Sequence, residues 1–113
     1  MKHNLPYLKH ILDEIIFIIA HTQDLSFKDF LQDDVLQRAT TRSIEIMGEA
    51  TKNISPDFRR KYQEIEWKEI AAMRDKIIHF YFGIKWEIVW DVIKNKIPAL
   101  KPKIEKIITD LEQ

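Results

Sequence analysis

Only two glycines, Gly48 and Gly83, occur in the 113 residues of this chain. Glycine is the residue that tight reversals need most, so a chain this poor in it has little room for a many-stranded sandwich or barrel. Apolar residues instead recur at helical spacing. Leu5, Leu8, Leu12, Ile15 and Ile19 form one stripe, which predicts an amphipathic helix over about Leu5 to Thr22. Ile11, Ile16 and Ile18 widen that stripe beyond a single core face. Two arrangements fit: cover by the core on one side and a partner on the other, or a place at the centre of the bundle.

Local signals divide the rest of the chain. Ser26 with Asp29 three residues on is an Asp variant of the capping box, and a short turn with Phe27, Phe30 and Leu31 follows. Asp33 or Asp34 opens a long helix to about Ile54, with Leu36, Ala39, Ser43, Ile46, Met47, Ala50 and Ile54 as its stripe. Gly48 lies inside this helix, at a cost of about 1 kcal/mol relative to Ala. A close approach of a second helix would explain it. Ser55-Pro56 reads as N-cap and first helical residue of a short segment to Tyr62. The next helix runs from near Trp67 to near Phe82, with Gly83 as its C-terminal cap. Trp86, Val89, Trp90, Ile93 and Ile97 share one side of a further helix, Pro98 and Pro102 kink or restart the chain, and Leu100, Ile104, Ile107, Ile108 and Leu111 form the last stripe. The expected fold is all-α, an antiparallel helical bundle of about five helices in a single domain over residues 1–113.

Composition narrows the chemistry. The chain has no Cys, which removes disulfide scaffolds, thiolate metal sites and thiol nucleophiles. Lys+Arg and Asp+Glu are 18 each, a formal net charge of +0, which argues against coating nucleic acid or membrane by bulk charge. The longest apolar run, Ile15 to Ala20, is far short of the ~20 residues that cross a bilayer. No membrane partner and a cytoplasmic location are therefore expected. Charge is nevertheless segregated. From Ile11 to Asp34 the acids Asp13, Glu14, Asp24, Asp29, Asp33 and Asp34 are accompanied only by Lys28, while from Lys94 to Lys106 the lysines Lys94, Lys96, Lys101, Lys103 and Lys106 are accompanied only by Glu105. Solvated helix faces account for both runs, as does a polar molecule with a local positive surface for phosphate.

No metal or cofactor is expected. The four histidines, His3, His10, His21 and His79, contain no pair at the i,i+4 spacing of a helical zinc site, and no Gly-rich phosphate loop occurs. His79 stands out for its neighbours, in the run Met73-Arg74-Asp75-Lys76-Ile77-Ile78-His79-Phe80-Tyr81-Phe82-Gly83. Histidine moves protons near neutral pH, and arginine holds phosphate with a planar fork. Those are the parts needed to cut RNA without metal: the ribose 2′-OH attacks the adjacent phosphorus, His moves protons, and Arg holds the phosphate oxygens. At about 100° per residue Arg74 and Tyr81 share a face, but His79 lies roughly 140° from Arg74. One straight helix presents the two poorly to one phosphate; a bend near Gly83 or a two-fold axis would remedy this. From spacing alone, a structural Arg, His and Tyr on a helix is the commoner case.

The spacing Arg74, four residues, His79, one residue, Tyr81 resembles the R-x4-H-x-Y motif of HepT-like toxins in the HEPN superfamily. Phe30-Leu31-Gln32-Asp33, Ile46-Met47-Gly48-Glu49-Ala50, Trp67 to Met73, Phe82-Gly83-Ile84 and Val89-Trp90 resemble further blocks of that family in order, so the likeness spans about Leu5 to Leu111. The resemblance implies a two-fold homodimer with both motifs in a cleft at the interface. It implies a metal-independent endoribonuclease toxin of a type VII toxin-antitoxin system, paired with a minimal nucleotidyltransferase antitoxin (MntA-like) that neutralises it by AMP transfer to the motif Tyr. By that likeness Arg74 binds phosphate, His79 transfers protons, Asp75 and Glu49 support them, and Tyr81 is the AMPylation site. The alternative is a non-catalytic nucleotide- or partner-binding helical module working with a nucleotidyltransferase.

Overall fold

The computed structural model describes residues 2–79 and 83–113, and these are helical with no strand among them. After a short 3-10 turn, α1 spans Leu5–Thr22, α2 Phe27–Leu31, α3 Asp34–Lys52, α4 Pro56–Lys61, α5 Trp67–His79, α6 Trp86–Asp91 and α7 Ile97–Glu112. No described helix is long and apolar enough to cross a membrane.

The caps fall where local chemistry places them. Ser26 and Asp29 form a reciprocal capping box at the start of α2, with bonds of 3.1 and 3.2 Å. Asp33 caps α3 through the Leu36 N–H, and Ser55 caps α4 through the Phe58 N–H. The buried Asn4 side chain accepts from the Ser55 N–H at 3.1 Å, which ties the start of α1 to the loop that follows α3.

The core is built on α1. Leu8, Ile11, Ile15 and Ile18 are fully buried, each contributing roughly 1.5–3 kcal/mol of transfer free energy. This face is rotated from the expected stripe: Ile11 and Ile18 are central, Leu12 and Ile19 flank them, and only Ile16 and Phe17 project outward. α3 and α7 pack against α1, and α5 packs against α3. The α3 face likewise shifts toward Thr40, Ile44 and Thr51 and away from Ala39 and Ile46. Thr22, Thr40 and Thr51 lie in the core because each hydroxyl donates to the carbonyl four residues earlier, at 2.7 to 2.9 Å.

The chain does not restart at Pro98. α6 passes through one turn of π-helix, Val92–Lys96, directly into α7, and the Ile97 N–H reaches the Val92 carbonyl. A proline ring in a regular helix clashes with the carbonyl four residues back, here Lys94, and the widened turn lies at that position. Pro102 is accommodated inside α7. Short α2 is held to this rod by aromatic packing: buried Phe30 lies edge-on to Trp86 at 5.7 Å and 5.1 Å from Trp90. The expected helix end near Phe82 lies outside the described residues, as does Tyr81, and no described residue has the positive φ expected of a glycine cap at Gly83.

Candidate functional site

α5 carries Arg74 and His79 of the motif, and two features fix its position. At its start the buried Trp67 indole N–H donates to the Tyr62 carbonyl at 3.0 Å, and the ring packs edge-on against Phe58 at 6.5 Å. Midway, α3 and α5 touch at Gly48. A Cβ there would lie 2.1 Å from the Arg74 Cβ, 2.8 Å from its Cγ and 3.2 Å from the Ile70 carbonyl oxygen. Glycine inside α3 is therefore the price of bringing the Arg74 backbone against that helix.

The Arg74 guanidinium is braced from two sides. One terminal nitrogen meets the Glu49 carboxylate of α3 at 3.1 Å, and the other meets the Asp75 Oδ1 at 3.2 Å. Lys52, one turn along α3 from Glu49, donates to the same Asp75 oxygen at 2.6 Å. That bond first, and the Arg74 contact second, hold the Asp75 carboxyl below its ordinary value. Two cations and two carboxylates thus alternate across the α3–α5 seam, and their formal charges cancel. Arg74 has five N–H donors, so donors remain for a phosphate after both bonds are made.

Arg74 lines a groove of about 450 Å³, within the ~300–1,000 Å³ range of small-molecule sites. α3 supplies Arg42, Glu45 and Glu49, Asn53 at its C-cap continues the same face, and α1 supplies Tyr7 and His10. A second cleft of about 420 Å³ opens between α5 and the α6–α7 rod, with Met47, Ile70, Met73, Ile88, Val92 and Leu100 along it. Its rim also carries Glu66, Glu69, Asp91, Lys76, Lys96 and Lys103, but it contains neither Arg74 nor His79, so the Arg74 groove is the better candidate for the motif's chemistry. Among the described residues no cluster of three His, Asp or Glu side chains could hold a metal ion.

The sequence-derived residues are thus only partly assembled. Arg74, Asp75 and Glu49 meet. His79 is the last described residue of α5, is exposed, and does not line the Arg74 groove. Tyr81 lies outside the described residues. His3 and His21 are exposed, the latter stacked on Phe17 at 4.4 Å between ring centroids. The late lysines are largely engaged: Lys94 donates to the Thr22 carbonyl at the end of α1, Lys96 pairs with Glu69, and Lys103 donates to the Glu64 carbonyl. Sequence reasoning missed Lys52 and the groove residues Tyr7, His10, Arg42 and Asn53. The shared face of Arg42, Glu45, Glu49 and Asn53 is a signal in the spacing, whereas the contribution of α1 is not.

Comparison with known proteins identifies the family. A family model described as Ribonuclease HepT-like matches residues 11–107. A Caldanaerobacter subterraneus protein named "Putative RNase TTE0752" is 49% identical over 108 residues, covering 96% of each chain. The "Probable ribonuclease HepT" of Thermococcus cleftensis is 48% identical over 101 residues, covering 89% of this chain and 92% of its own. No solved structure gives a significant match. With nearly the whole chain matched by both the family model and these relatives, the protein belongs to the HepT-like ribonuclease family.

Proposed function

We propose that this chain is an endoribonuclease toxin that cuts RNA without a metal cofactor, as a two-fold dimer, and is neutralised by a nucleotidyltransferase antitoxin of a type VII system. The observation that carries the reading is the bracing of Arg74. A guanidinium held by Glu49 and Asp75, with donors to spare, is a preorganised phosphate contact. In the reaction Arg74 holds the non-bridging oxygens while the 2′-OH attacks phosphorus. His79 moves protons between the 2′-oxygen and the departing 5′-oxygen, leaving a 2′,3′-cyclic phosphate.

Two facts favour a dimer as the working unit. His79 lies off the Arg74 groove within one protomer, and the charges around Arg74 already sum to zero. A second copy would bring an imidazole and another guanidinium to the same phosphate. Ile78, beside His79, and Ile88 are 41% and 48% exposed, apolar surface suited to such an interface. Transfer of AMP to Tyr81, two residues past His79, would add negative charge to that cleft and repel RNA.

The test is cleavage of single-stranded RNA in EDTA. Wild type should cut, and Arg74→Ala and His79→Ala should each lose cutting and growth arrest while retaining the helical spectrum. Equal toxicity of the double variant would refute the assignment, and a strict metal requirement would refute the mechanism. Co-expression with the nucleotidyltransferase should raise the intact mass in AMP steps in wild type but not in Tyr81→Phe. A chain that binds nucleotide or the transferase yet never cuts RNA is the non-catalytic module instead.

A further inference from the structure

The groove beside Arg74 has more in it than a phosphate contact. Arg42 to Asn53 spans about 16 Å of α3, and Arg74 crosses that row at Gly48 and Glu49. Asn4 bonds to Ser55, so α1 begins beside the end of α3. Tyr7 therefore lies at the Asn53 end of the groove, with His10 farther along toward Glu45. Tyr7 is half-buried and packs on the core, which holds its ring in place while part of it stays open to the groove. The Asn53 amide donates one hydrogen to the Glu49 carbonyl at 2.9 Å. Its second hydrogen and its oxygen have no partner among the described residues, which leaves a donor and an acceptor on the same amide. Glu49, one of the two carboxylates that line the groove, is paired with Arg74.

We propose that the Tyr7–Asn53 end of the groove is a nucleobase subsite for the nucleotide next to the phosphate held by Arg74. The inference rests on RNA being the substrate. An aromatic ring gives a base a stacking platform that any sequence can use. The amide adds selectivity, because the donor–acceptor edge of Asn matches the N6 and N7 of adenine. The base bound is therefore adenine in preference to uracil. A neutral, partly aromatic groove also suits a base better than a run of phosphates, because Arg42 pairs with Glu45 and Arg74 with Glu49 and no net positive charge is left to hold one.

Binding tests this without relying on cleavage. The probes are eight-nucleotide 2′-O-methyl RNAs of adenine or uracil, which lack the attacking hydroxyl, followed by fluorescence anisotropy with the full chain. Wild type should bind the adenine oligomer more tightly. Tyr7→Leu, which keeps apolar bulk against the core, should weaken that binding by about tenfold or more. Asn53→Ser should bring the two oligomers to within about twofold of each other, because the amide edge that matches adenine is gone. Unaltered adenine binding in both variants, or no adenine preference in wild type, would overturn the subsite. The two readings separate cleanly. A chain that cuts RNA but shows no effect of either variant keeps the ribonuclease reading and loses the subsite. One that binds as stated but never cuts does the reverse.

Discussion

Replacing Gly48 with alanine sets two physical effects against each other. By helix propensity alone the change should stabilise α3 by about 1 kcal/mol, because an interior glycine carries that penalty. The contact with α5 opposes it. The new Cβ would lie 2.1 Å from the Arg74 Cβ and 2.8 Å from its Cγ. Carbon atoms in contact sit about 3.5–4.0 Å apart, so the helices must separate by about 1.5 Å at the crossing. The obstructing atoms are a Cβ, fixed to its backbone, and the Ile70 carbonyl at 3.2 Å, so rotation of a side-chain tip cannot relieve the overlap. Overpacking of this kind costs about 1–3 kcal/mol, and its rigid geometry places Gly48→Ala toward the upper end. The net expectation is destabilisation by about 2 kcal/mol, which lowers Tm by roughly 8 °C in a domain of this size. Thermal and urea melts followed by circular dichroism measure it. Arg74 is carried away from Glu49 by the same movement, so RNA cleavage should fall even at temperatures where the variant is folded. A variant that melts at or above the wild-type temperature and cuts RNA normally would refute the argument.

Other outcomes follow from single contacts. The Asp75 carboxyl, held down by Lys52 and then Arg74, should titrate below its ordinary value of about 3.9 in an NMR pH series. Because its folded value is lowered, the stability it supplies is full above that ordinary value and disappears as pH falls through the folded one. Lys52→Met should move the titration back upward, and no movement would deny Lys52 its role. Lys94→Met removes the cation that caps the carbonyl end of α1 and should cost about 0.3–1 kcal/mol in urea unfolding, less at high salt. Ser26→Ala breaks the capping box of α2 and should cost about 1 kcal/mol, with the Trp86 and Trp90 fluorescence reporting the loosening of Phe30.

Much of this fold is legible in the sequence because helices are made locally. The stripe from Leu5 to Ile19, the Ser26–Asp29 box and the Ser55-Pro56 restart each act within a few residues, and each element forms where those signals place it. The proline segment is less legible: Pro98 suggests a break, whereas a π-turn absorbs the clash and the rod continues. The buried faces of α1 and α3 also differ from their stripes. Apolar residues ring more than half of α1, and on α3 threonines that donate within their own helix are buried as readily as alanine, so neither stripe specifies by itself what its neighbours will cover.

The sequence by itself determined the helices, the spacing of the motif and the oddity of a glycine inside α3. Tertiary structure alone decided what these mean for the site. Glu49 and Lys52 meet Arg74 and Asp75 across more than twenty residues of chain. Tyr7 and His10 of α1 join the same groove. Such meetings depend on how two helices rotate about their axes and how closely they approach. That is set by the packing of whole faces, and at this site by the absence of one Cβ at Gly48.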